Sequence, residues 1–246
     1  GEDGYPFIKD EKRCMKCQHC FAICPKGAIV FDGYRPENSL ATKNLPRPSA
    51  EEIENWLHVR RSVRKFRADD VDAKTLDHIL RVLGNVPTGC NARSLTFTCY
   101  STRQSVDAFR QAFIHAVEEH RDGSKLLPRW LAVPAIKLRE GKSDIFFRGA
   151  PGLLIVTSDE TNKAVVSAQE DVAAACTYFE MLAAAHGLAT CWCGFLQLIQ
   201  KEIPELLEKT MGIRRTTPFC AMLFGLPAVS YPRGVQREDY AKIVYR

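Results

Sequence analysis

No apolar run in the sequence approaches the roughly 18 residues that a membrane span needs, so it offers no candidate for a membrane-spanning helix. No run of five like charges occurs either. With 34 Lys and Arg against 29 Asp and Glu, the net charge is only +5, which excludes the electrostatic footprint of a nucleic-acid binder and leaves small anionic ligands compatible. No G-x-G-x-x-G turn, internal repeat or low-complexity tract is present. The first ten residues are polar and lack the apolar core of a signal peptide. The ten cysteines form no disulfide framework: four fall in one motif, while Cys90, Cys99, Cys176, Cys191, Cys193 and Cys220 lie scattered in apolar sequence. That is the usage of a reducing compartment, and a cytoplasmic location is the expectation. The six histidines show no metal spacing, and no Ser–His–Asp arrangement can be placed, so the catalytic side chains stay unknown.

What is there divides into a Cys-rich head (1–32), a linker with three prolines (33–48) and one large body (49–246). The head reads R-C-M-K-C-Q-H-C-F-A-I-C-P-K-G, in which Cys14, Cys17, Cys20 and Cys24 have the C-x2-C-x2-C-x3-C-P spacing of an iron–sulfur segment. Zinc is the alternative, since C-x2-C pairs also build zinc sites. In two-cluster ferredoxins the fourth Cys ligates the other cluster. The head therefore looks like half of a dicluster ferredoxin-like domain, with E-D-G-Y-P-F-I-K-D-E-K-R-C as the connector and K-G-A-I-V-F as a following strand. On that reading the chain starts mid-domain, and occupancy of a 4Fe-4S cluster in it is open.

In the body, Ser49 with Glu52 forms a capping box that opens a helix bearing Ile53, Trp56 and Leu57. Further helices are expected from Asp72 to Gly84, from Gln104 to His120, across the Ala-rich 165–186 and around Pro204 to Lys209. Strands are expected at Leu95–Tyr100, at G-L-L-I-V-T-S (152–158) and in L-A-T-C-W-C and F-C-A-M-L-F, while 122–148 shows little periodicity and reads as an excursion or lid.

The segment V-R-R-S-V-R-K-F (59–66) is either a solvated basic face or a phosphate site built from planar guanidinium donors. Followed in order by V-P-T-G-C-N-A-R-S, G-A-P-G-L-L-I-V and G-L-A-T-C-W-C-G-F, it resembles the nitroreductase family of FMN-dependent oxidoreductases, over essentially all of 50–246. Head and body together resemble the subgroup with a fused N-terminal ferredoxin-type domain. The resemblance implies an α+β fold with a mixed central sheet flanked by helices, and an intertwined homodimer with FMN at the interface. It assigns FMN contacts to Arg60, Arg61, Ser62 and Arg64, to Thr88 and Asn91, and to the Cys193–Gly194 turn whose backbone N–H meets the flavin N5. Either Arg233 or Arg237 of Y-P-R-G-V-Q-R-E-D would reach the phosphate. Two positions depart from the family: Arg93 where Gln is common, and Cys193 where many relatives carry an acid. The implied function is reduction of a small acceptor such as a nitroaromatic or quinone, with electrons from NAD(P)H, from reduced ferredoxin or from the fused cluster. An electron-transfer module, reductive dehalogenation on the same body, and a zinc-stabilised binding protein remain as alternatives.

Overall fold

The computed structural model describes residues 10–30, 32–123, 127–159, 161–162 and 165–246. Most of the connector expected before Cys14, and Phe31, lie outside them. Eight α-helices and four strands are found among the described residues: α1 (His19–Ile23), α2 (Ala50–Val59), α3 (Ala73–Val82), β1 (Leu95–Tyr100), α4 (Arg103–Asp122), α5 (Arg129–Arg139), β2 (Gly152–Ser158), α6 (Ala168–Ala185), β3 (Ala189–Trp192), α7 (Gly194–Glu202), α8 (Pro204–Met211) and β4 (Phe219–Gly225).

The strands form one sheet in the order β1-β2-β4-β3, and every neighbouring pair is antiparallel. The expected mixed sheet is therefore corrected. The crossover through α6 does leave β2 and β3 running the same way, but β4 inserts between them and reverses both pairings. Side chains alternate faces along a strand, and on the two central strands both faces are apolar. Leu153, Ile155, Phe219, Ala221 and Leu223 enter one core with α4, α5, α7 and α8. Leu154, Val156, Cys220, Met222 and Phe224 enter the other, with α3 and α6. Burial on both faces is why these strands read as continuous apolar runs. Close packing fixes Gly152 as well: a Cβ there would sit 2.3 Å from the Phe224 ring.

The capping box expected from sequence is present, and α3 begins at the expected Asp72. Ser49 and Glu52 bond reciprocally at the start of α2, and Asp72 accepts from Thr75 N–H at the start of α3. Three helices were not foreseen, the short α1 in the head among them. Pro134 lies inside α5 and masks its periodicity, and the stretch after β3 holds two helices where one was expected. Ile203 separates that pair because the residue before a proline is driven out of the α region, here to φ −139°, ψ 64°. The K-G-A-I-V-F strand does not form at residues 26–30: no described segment pairs with it, and an isolated strand leaves its backbone groups unpaired.

Candidate functional site

The basic segment after α2 is fixed along the outer side of β3. Val63 N–H donates to Thr190 O at 2.9 Å, Arg67 N–H donates to Leu226 O at 2.8 Å, and Ala228 N–H donates to Lys65 O at 3.0 Å. Val63 is the buried anchor. In an extended chain alternate residues share a face, so Arg61 lies on the Val63 side while Ser62 and Arg64 lie on the other. Arg60, capping the end of α2, pairs with Glu180 at 3.2 Å. Glu180 is a buried carboxylate on α6 that also accepts from Thr190 Oγ1 at 3.3 Å.

Two pockets are lined by residues of this segment. Arg60, Arg61, His58 and Arg237 line one of about 210 Å³, closed by the chain after β4, whose Val235 N–H donates to His58 O at 3.1 Å. Arg61 donates through Nη1 to Arg60 O at 3.1 Å, while its Nη2 is buried without a partner among the described residues. A buried unpaired guanidinium donor is costly, and a phosphate oxygen is a partner that would satisfy it. Arg237 is thus brought to the other arginines, while Arg233 is exposed and lines neither pocket.

The second pocket, about 290 Å³, is lined by Arg64, Arg148, Trp192, Cys193, Gly194 and Phe195, among others. Cys193 N–H is already committed to Ala221 O at 2.9 Å. Gly194, the first residue of α7, carries one of the amides that a helix start leaves without an intrahelical acceptor. The expected backbone donor at this turn therefore falls to Gly194. Burial pushes the Cys193 thiol from its usual 9.0 up to about 12, and raises Cys191 too, so neither is a thiolate near neutrality. Cys193 instead donates to Phe146 O at 3.4 Å.

Residues 57–226 match the nitroreductase family. The chain belongs to it. Among solved structures, a nitroreductase with bound FMN from Bacteroides fragilis superposes with a TM-score of 0.60 at 19% identity, covering 79% of this chain and 99% of that one. An FMN-bound nitroreductase from Desulfitobacterium hafniense gives 0.56 at 18% identity, covering 78% and 97%. The FMN-dependent nitroreductase NfnB from Mycobacterium smegmatis, in complex with NADPH, gives 0.54 at 18% identity, covering 80% and 99%. No curated protein matches at a significant level. The nitroreductase-like fold spans the body, and no helix among the described residues is long and apolar enough to cross a membrane.

Not every nitroreductase position assigned from sequence reaches these pockets. Thr88 Oγ1 accepts from Arg93 N–H at 3.0 Å, and Asn91 Nδ2 donates to Met15 O at 2.8 Å, so this loop binds the Cys-rich head. Its shape is held by Asp171, a buried acid in the first turn of α6. That carboxylate accepts Gly89 N–H at 3.0 and 3.2 Å and Ser167 Oγ at 3.0 Å. Gly89 has no room for a side chain: a Cβ would meet Ser167 Oγ at 2.2 Å.

The expected cluster finds no support in the structure. Among the described residues no group of three or more His, Cys, Asp or Glu comes together to hold a metal. Cys14 and Cys17 precede a left-handed turn at Gln18 (φ 60°) while Cys20 and Cys24 follow it on and after α1, and Cys17 and Cys20 face water. Cys24 has a thiolate-favouring environment: the Ala28 N–H, at 3.3 Å, and neighbouring amides lower its pKa.

Sequence reasoning missed Glu180, Asp171 and Arg148. The first two carry no local signal. Arg148 stands immediately before the Gly149–Ala150–Pro151 turn that leads into β2, and a charged residue abutting that turn was the available clue.

Proposed function

We propose that the chain is an FMN-dependent oxidoreductase that reduces small electrophilic acceptors, such as nitroaromatics or quinones, with electrons from NAD(P)H. Family membership and the FMN-bound neighbours support the flavin-dependent oxidoreductase; the two arginine-lined pockets carry the residue assignment. Arg61, with Arg60 and Arg237, holds the phosphate, satisfying the orphaned Nη2. Arg64 and the Gly194 amide flank the ring pocket, whose Trp192 and Phe195 walls suit a flat ring and exclude water from it. Bound flavin supplies two-electron transfer between a reduced nicotinamide and the acceptor. The protein's part is to bind, orient and bias charge, with Arg64 favouring an anionic ring. No protein acid or base is assigned, in keeping with the protonated, packed Cys191 and Cys193. The head is given no relay role, because its thiols are not gathered.

A homodimer belongs to the same reading. Helix α2 buries none of its residues within one chain, and Ile53 and Leu57, four apart on one face, are 42% and 59% exposed. A second copy would cover that face and bring Thr88 and Asn91 within reach of a partner's flavin.

The test is the visible spectrum of protein purified without oxygen. Two flavin bands that bleach with NADPH and return on adding a nitroaromatic are expected. A colourless protein that stays colourless after adding FMN would overturn the proposal. Bands indifferent to NADPH would transfer the donor role to a ferredoxin.

A further inference from the structure

The ring pocket holds more positive charge than its flavin contacts call for. Besides Arg64 it is lined by Arg148, and no Asp or Glu stands among its lining residues. The Arg148 guanidinium has no hydrogen-bond or ion-pair partner among the described residues, although it is only partly exposed. Two guanidiniums lining one small cavity repel each other.

Arg148 is also placed against its own backbone preference. Its φ is 55°, in the left-handed region that costs a non-glycine residue on the order of 1 kcal/mol. Such outliers persist where the surroundings over-determine them, and here they do. Asp144 accepts the Phe147 and Gly149 amides at 2.8 and 3.0 Å, and its carbonyl accepts Arg148 N–H at 3.1 Å, wrapping the turn around one carboxylate. Arg110, 7% exposed, fixes that carboxylate: its Nε lies 3.1 Å from Asp144 Oδ2 and its Nη2 donates to Ala150 O at 3.0 Å. The guanidinium also stands 5.9 Å from the centre of the Phe147 ring. A buried arginine thus braces the loop that turns a second arginine into the pocket.

Resting on the function proposed above, we infer that Arg148 binds an anionic oxygen group, a carboxylate, on the acceptor substrate. The acceptor must lie against the flat flavin ring held between Trp192 and Phe195, at the mouth that Arg148 lines, so the preferred class is a flat aromatic acid or an acid-bearing quinone. A phosphate on the nucleotide donor has the same chemistry and is the competing source of the anion.

The experiment compares 4-nitrobenzoate with its methyl ester, in the flavin-loaded protein and its Arg148→Gln and Arg148→Lys variants. The acid is expected to be the better substrate. Its kcat/KM relative to the ester should fall about 10- to 100-fold in Arg148→Gln, the size of one charge-assisted hydrogen bond, and recover in part in Arg148→Lys. Flavin content per chain is expected to match that of the unaltered protein. An unchanged acid-to-ester ratio overturns the inference. So does loss of flavin, which moves Arg148 to the cofactor, or a loss confined to NADPH against NADH, which moves it to the donor. Should the loaded protein reduce neither compound, titrating its oxidised form with each and following Trp192 fluorescence decides by binding alone. Should it take up no FMN, the function proposed above fails, and the same titration on the flavin-free chain still tests Arg148.

Discussion

At the scale of the residue, the site depends on how burial prices each polar group. Arg60 cannot be read as a ligand alone, because removing it leaves Glu180 buried and unpaired, a loss of about 3 kcal/mol or more. Arg61 is the cleaner probe, since its Nη2 has no protein partner to orphan. Arg61→Ala should weaken FMN binding about 10- to 100-fold while weakening riboflavin far less, because only FMN offers the phosphate. Fluorescence titration with both flavins checks this, and equal losses would mean that Arg61 does not meet the phosphate. Cys193 gives a pH prediction. Below pH 9 the thiol is protonated in the folded and unfolded chain alike, and stability does not respond to it. Above 9 the unfolded chain releases the proton first, so stability falls until the folded thiol titrates at about 12. The slope is about 1.4 kcal/mol per pH unit for one proton. Urea melts of the native chain and Cys193→Ala at pH 8 and 10.5 should differ by this component, and a pH-independent difference would contradict it.

At the scale of the element, α2 is secured at its ends rather than along its length. With none of its residues buried, it relies on the Ser49–Glu52 box at one end and on the stitched 63–67 segment beyond the other. Ser49→Ala should cost about 1 kcal/mol and, by fraying the helix that delivers Arg60 and Arg61, loosen flavin as well. Thermal melts with and without FMN separate the two effects. The capping box was legible because it needs only a spacing of three. The boundaries of α5 and α7 were not. Pro134 breaks the pattern by which α5 would be recognised, and α7 follows β3 with only Cys193 between them, so its apolar residues run on from those of the strand.

At the scale of the whole molecule, the head and body meet through Asn91 and Met15 at the loop fixed by Asp171. A chain beginning at Ser49 should keep the body's fold, because both cores are built from residues 71–223 and from Phe224, none in the head. Circular dichroism and flavin titration of that shortened chain check the expectation. Dimerisation through α2 should disappear on Leu57→Glu, read by light scattering. The sequence by itself determined the elements whose signals are local: the strands of alternating or continuous apolar residues, the Ser49 capping box, the start of a helix near Asp72, and the arginine-rich segment beside a capped helix. It also carried the family, because that resemblance rests on the order of four short motifs. Only the tertiary structure decided the antiparallel order β1-β2-β4-β3, since register depends on which strands meet and not on any one of them. Only it put Arg237, and not Arg233, in the pocket with Arg60 and Arg61, gave Asn91 to the head, left the four head cysteines ungathered and turned Arg148 into the pocket. Each of those outcomes is set by contacts between residues far apart in the chain, whose energies no local pattern encodes.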